Sequence, residues 1–142
     1  NKSRAFIYTT ALPASIIAAA LAAIDIVQNQ PELRKRLWDN VKFFKTGLEK
    51  INADTMQSQT QIIPVLIPDN QKALDISRRL LGEGVFIQAI RPPTVPKGRA
   101  RLRITIMATH TRKDLEYALE KIKKYYIHPR LGQRAVCMAS SG

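Results

Sequence analysis

The spacing of apolar residues changes several times along the chain, and each change marks an element. Residues 5–9, Ala-Phe-Ile-Tyr-Thr, read as a short strand. The run from Ala11 to Val27 is then dominated by alanine and aliphatic side chains, with Pro13 near its start. A proline fits the first helical turn, where its missing N–H would have no partner anyway. A helix apolar on nearly every face is expected to be buried by protein. Spanning a bilayer takes about 20 strongly apolar residues, and this alanine-rich run falls short of that, so no membrane span is expected.

From Pro31 to Ile51 the pattern shifts to spacings of three and four: Leu33, Leu37, Val41, Phe44, Leu48 and Ile51. That is an amphipathic helix, with Arg34, Lys35, Lys42, Lys45 and Lys50 on its solvent face. Residues 57–61 form a polar linker. Residues 62–68 read as a strand, and Pro64 and Pro68 place it at a sheet edge because proline cannot donate to a neighbour. After a turn at Asp69-Asn70, Ala73, Ile76, Leu80 and Leu81 mark a third helix, stopped by Gly82 and Gly84. Two further strands are expected at 85–90 and 101–107, the second alternating Leu102, Ile104 and Ile106 with Arg101, Arg103 and Thr105. The loop between them carries Pro92, Pro93 and Pro96 and is stiff. Thr111 or its neighbour caps a last helix with Leu115, Leu119 and Ile122 on its apolar stripe. Two helices followed by β-α-β-β-α predict an α+β fold: a small, mostly antiparallel sheet with helices on one face.

Composition narrows the partners. The chain has 142 residues, 45% hydrophobic and 24% charged, enough for a single core that buries about two-thirds of the unfolded surface. Lys and Arg number 23 and Asp and Glu 11, a net charge of +12, which points to nucleic acid, an anionic membrane or a phosphorylated or carboxylated small molecule. The cations are spread along helices and no strand shows paired exposed aromatics, so sequence-specific nucleic-acid binding is not expected. The single cysteine, Cys137, forms no internal disulfide and no metal cluster, which makes a reducing, cytoplasmic compartment the expectation. The opening Asn1-Lys2-Ser3-Arg4 has neither Met nor a signal pattern, so the chain is expected to be part of a longer polypeptide.

Candidate chemistry is sparse. His110 and His128 have no Asp, Ser or Cys at a spacing that suggests a triad or a metal site, and both read as capping or surface residues. There is no Gly-x-Gly-x-x-Gly and no Walker-type phosphate loop. Arg103 is the informative residue. It is open to two readings: an ordinary exposed strand residue, sharing a face with Arg101, or a carboxylate clamp held by a strand beside a rigid loop. Thr9 and Thr10, just before the first helix, are open to an N-cap role or to a phosphate contact near a helix start.

Two segments carry a resemblance. Residues 6–13, Phe-Ile-Tyr-Thr-Thr-Ala-Leu-Pro, lead into the alanine-rich helix. Residues 89–105, Ala-Ile-Arg-Pro-Pro-Thr-Val-Pro-Lys-Gly-Arg-Ala-Arg-Leu-Arg-Ile-Thr, are followed by Ala108-Thr109-His110-Thr111. Together they resemble the C-terminal part of the α-oxoamine synthases, pyridoxal-phosphate (PLP) enzymes of the aspartate-aminotransferase fold. The Arg-Pro-Pro-Thr-Val-Pro form is similar to the biotin-pathway branch, which condenses alanine with a pimeloyl thioester. The resemblance covers residues 5–124. It implies that Arg103 holds the amino-acid carboxylate, that Thr94 contacts substrate, and that Thr9 or Thr10 reaches the PLP phosphate of the neighbouring subunit in a homodimer. It places the Schiff-base lysine, the partner of the pyridine nitrogen and the ring-stacking histidine upstream of Asn1, so PLP is expected in the full-length enzyme and neither PLP nor activity in this chain alone. It further implies three segments: residues 1–30, the end of the large domain and its connecting helix; 31–124, a C-terminal α+β domain; and 125–142, a tail outside the family pattern that includes Arg130 and Arg134.

Overall fold

The computed structural model describes residues 12–127, and the chain divides into two compact units, residues 1–35 and 36–142. The strand expected at 5–9, Thr9, Thr10, His128 and most of the tail lie outside the described residues.

Helix α1 (Ala14–Asn29) starts behind Pro13, whose carbonyl accepts from the Ile16 and Ile17 N–H groups at 3.0 and 3.2 Å. None of its residues is buried; Ile16, Leu21, Ile24 and Val27 are all exposed. The expectation of burial is therefore not met among the described residues. An apolar surface makes a helix able to be buried, but the surface that covers it has to come from elsewhere.

Helix α2 (Pro31–Glu49) buries Val41, Phe44 and Leu48 of the expected stripe, with Leu37 and Phe43 half-covered, while Leu33 is exposed and Ile51 lies beyond the helix end. Then follow β1 (Ile62–Leu66), α3 (Asn70–Gly82), β2 (Gln88–Ile90), β3 (Arg101–Thr105) and α4 (Arg112–Ile127). The sheet order is β1-β3-β2 with both pairings antiparallel, so β3 is central and the proline-bearing β1 is an edge strand, as its sequence predicts. Pro64 sits opposite Arg103.

One face of the sheet is core. Ile63, Val65, Leu102, Ile104 and Ile106 are buried together with Ala73, Ile76 and Leu80 of α3, Leu115 and Ile122 of α4, and Phe44 and Leu48 of α2. The other face carries Pro64, Leu66, Gln88, Ile90, Arg101, Arg103 and Thr105, none of them buried. Gly47 lets α2 come close to α4, because a Cβ there would collide with the Cδ atoms of Leu119.

Several boundaries differ from expectation. Val85 N–H donates to Leu80 O at 2.8 Å to finish α3, and the Ser77 hydroxyl donates to Ile87 O at 2.6 Å. Residues 85–87 are thus bound to α3, and pairing with β3 begins only at Gln88. Gly84 follows with φ +78°, the left-handed position that ends helices. At the other end, β3 pairing stops at Thr105, and Met107 N–H turns to His110 Nδ1 at 3.2 Å. Leu81 is 57% exposed and does not join the stripe of Ala73, Ile76 and Leu80, from which it is rotated by one position.

Candidate functional site

Arg103 lies at the middle of the central strand, flanked by Pro64 on one side and Gln88 on the other. Strand alternation sends Leu102 and Ile104 into the core and leaves Arg103 on the open face. Its Nη2 donates to Gln88 Oε1 at 2.6 Å. Among the described residues no carboxylate pairs with it. Arg101 shares the same face, but its Nε is turned back to Arg99 O at 3.0 Å.

Arg103 and Gln88 border a cavity of about 760 Å³. Its walls are mostly apolar, from Phe44, Val85, Ile87, Ile104, Ile106 and Met107, with Lys113, Asp114, His110 and Tyr117 completing the lining. A cavity of this size, apolar with a few convergent polar groups, is the form small-molecule sites take. The polar groups divide by their commitments. Asp114 closes the first turn of α4: its Oδ2 accepts from the Thr111 hydroxyl at 2.7 Å and from Thr111 N–H at 2.8 Å, while Asp114 N–H donates to Thr111 Oγ1 at 3.2 Å. The Thr111 hydroxyl first, then its N–H, hold this carboxyl below its ordinary range against partial desolvation. Asp114 is accordingly an ionised cap. His110 is structural as well, with Nδ1 accepting from Met107 N–H and its carbonyl accepting from Asn40 Nδ2 at 3.0 Å. That leaves Arg103 and Lys113 as cations facing the cavity without an acidic partner among the described residues.

Thr94 does not reach this cavity. It sits exposed in the proline loop, its N–H donating to Arg91 O at 3.1 Å, and the Pro92–Pro93 peptide is cis. Sequence reasoning singled out Arg103 and missed Gln88, Lys113 and Tyr117. Gln88 becomes visible only once the β2–β3 register is known.

An amine that attacks a carbonyl cofactor needs an accessible neutral form. Hydrogen bonds to Glu83 raise the pKa of both Lys121 and Lys124 above the ordinary lysine value. Among the described residues the cavity offers the cations Arg103 and Lys113 to an anionic ligand. No group of three His, Cys, Asp or Glu among the described residues is placed to hold a metal ion, and no described helix is long and apolar enough to cross a membrane.

A small antiparallel sheet backed by helices has counterparts among known proteins. Residues 1–122 match the aminotransferase class I and II family, and the chain belongs to that family. Among curated relatives, the 8-amino-7-oxononanoate synthase of Lysinibacillus sphaericus is 49% identical over 124 residues, covering 87% of this chain and 32% of the relative. That of Geobacter sulfurreducens is 48% identical over 122 residues, covering 84% of this chain and 31% of the relative. Among solved structures, a serine palmitoyltransferase with its PLP internal aldimine superposes with a TM-score of 0.77 at 30% identity, covering 86% of this chain and 31% of that one. The 8-amino-7-oxononanoate synthase of Francisella tularensis does so with 0.73 at 27% identity, covering 89% and 37%. The fold is that of PLP enzymes of this type, and the chain spans about a third of the length of the relatives it matches.

Proposed function

We propose that this chain is the C-terminal part of a PLP-dependent acyltransferase of the 8-amino-7-oxononanoate synthase kind, condensing an amino acid, alanine, with an acyl thioester, pimeloyl, to an α-oxoamine for biotin synthesis. The observation that carries the reading is Arg103: an arginine on the central strand, bordering a cavity and facing no carboxylate among the described residues. The 45–49% identity to synthases of that name supports the choice of substrates.

PLP, when bound, supplies the electron sink of this chemistry. The task of the present residues is orientation. A guanidinium offers two parallel N–H donors to a carboxylate, which fixes the plane of that carboxylate as well as its position. Fixing it sets the direction of the remaining bonds at the substrate α-carbon, the kind of alignment that removes orientational entropy from the barrier. A strand paired on both sides is a firmer base for such a clamp than a loop. Lys113, on the same cavity wall, adds positive potential for an anionic substrate. Thr94 in the proline loop is proposed as a second substrate contact and Thr9 or Thr10 as the contact to the PLP phosphate, within a cytoplasmic homodimer.

The test is an assay of the full-length polypeptide, PLP-loaded, with alanine and a pimeloyl thioester beside glycine with acetyl or succinyl thioesters. Carbon dioxide release with the first pair and little with the others is the expected result. Preference for a glycine pair reassigns the protein within the α-oxoamine synthases. No turnover is expected from the 142-residue chain by itself.

A further inference from the structure

Gln88 and Arg103 stand opposite each other in the β2–β3 pairing, and their side chains meet in a 2.6 Å hydrogen bond. Both border the cavity. A guanidinium carries five N–H donors and no acceptor, so the bond to Gln88 leaves four donors. The acid on the same cavity wall, Asp114, is taken up by Thr111. We infer that Gln88 is a positioning residue: it holds the Arg103 fork in one orientation through a neutral acceptor, and that neutrality keeps the full positive charge available to a ligand carboxylate. The inference rests on the reading of Arg103 as a carboxylate clamp and assigns a further residue to it.

The alternatives at position 88 show why a glutamine matters. An apolar side chain would leave a long, exposed arginine free to sample many rotamers, and ordering it would be left to the substrate. A glutamate would orient the fork equally well, but as an ion pair that competes with the substrate for the same donors. Glutamine does the first task without the second. Because Gln88 is exposed and contributes nothing to the core, substitutions there act on Arg103 rather than on folding.

The experiment compares Gln88→Leu and Gln88→Glu, each alone and combined with Arg103→Ala, in the full-length PLP-loaded protein with the amino acid varied at saturating thioester. Gln88→Leu should raise KM for the amino acid about threefold to tenfold, the size of one net hydrogen bond, with kcat largely kept. Gln88→Glu should raise it about tenfold or more. In the Arg103→Ala background neither should add anything. A second readout needs no turnover: in the 142-residue chain, nitrogen-15 relaxation of the Arg103 Nε–H group should show an ordered side chain in wild type and Gln88→Glu and a mobile one in Gln88→Leu. Wild-type KM in Gln88→Leu, an Arg103 side chain already mobile in wild type, or a Gln88→Leu effect that persists without Arg103 would each overturn the inference. If Arg103→Ala itself leaves KM unchanged, the clamp reading fails and takes this inference with it. If Arg103→Ala raises KM and Gln88→Leu does not, the role of Gln88 alone is refuted.

Discussion

The Glu83 carboxylate, at the end of α3, accepts a 2.7 Å bond from Lys124 on α4. Tyr125 OH donates to the same oxygen at 2.6 Å, Lys121 Nζ lies 3.1 Å from the other, and Tyr117 OH donates to the Glu83 carbonyl at 3.0 Å. One residue thus ties the helix end behind the sheet to four side chains of α4, the helix whose start lines the cavity.

This arrangement predicts a pH dependence of stability. Hydrogen bonds from Lys124, then Tyr125, then Lys121 bring the Glu83 carboxyl from its ordinary 4.5 to about 2. A group whose pKa is lower folded than unfolded contributes stability that is fully present above the unfolded value and lost as pH falls through the folded one. The melting-temperature difference between wild type and Glu83→Gln should therefore be fully present at neutral pH, shrink below about pH 4.5 and vanish near pH 2. A difference that stays constant over that window contradicts it.

Asn40 joins α2 to the loop after β3, donating through Nδ2 to Met107 O at 3.1 Å and to His110 O at 3.0 Å. Asn40→Asp keeps the size and removes the donor, so that His110 O loses its Asn40 partner and Met107 O keeps only the His110 N–H at 3.3 Å. The expected loss is about 1–2 kcal/mol in denaturant unfolding, with faster hydrogen exchange in residues 107–110. Unchanged stability and exchange would show that the loop is held by other means.

The Thr111–Asp114 pair is a reciprocal N-cap of α4. Thr111→Val should destabilise the chain by about 0.5–2 kcal/mol, and the first-turn amides of α4 should exchange faster. If the unfolding midpoint and those amides do not move, the cap is dispensable.

Much of this architecture is legible in the sequence. The three- and four-residue spacing from Leu37 to Leu48, the prolines that make β1 an edge, the alternation along β3 and the Thr111 cap are all local signals, and local physics decides them. The short β2 is not legible, because whether residues 85–87 pair with β3 or bind to α3 depends on a Ser77 bond that no spacing announces. Gln88 meets Arg103 across 15 residues, Glu83 meets Lys124 across 41 and Asn40 meets His110 across 70. Each of these contacts is set by register and helix packing, which the order of residues does not display. The apolar character of α1 is equally plain in the sequence, yet what covers that helix is not.

The central claim is that the Arg103 fork grips a substrate carboxylate, and Arg103→Lys tests it most directly because it keeps the charge and removes the planar fork. Disturbing one partner of a desolvated charge pair costs about 2–5 kcal/mol, and 1.36 kcal/mol is tenfold in rate. In the full-length enzyme, with the amino acid varied at saturating thioester, Arg103→Lys should lower kcat/KM by about 30-fold or more while PLP content stays normal. Arg101→Lys is the control, since Arg101 turns to Arg99 O and does not line the cavity, and its effect should be much smaller. Wild-type kinetics in Arg103→Lys, or equal losses in both variants, would contradict the clamp.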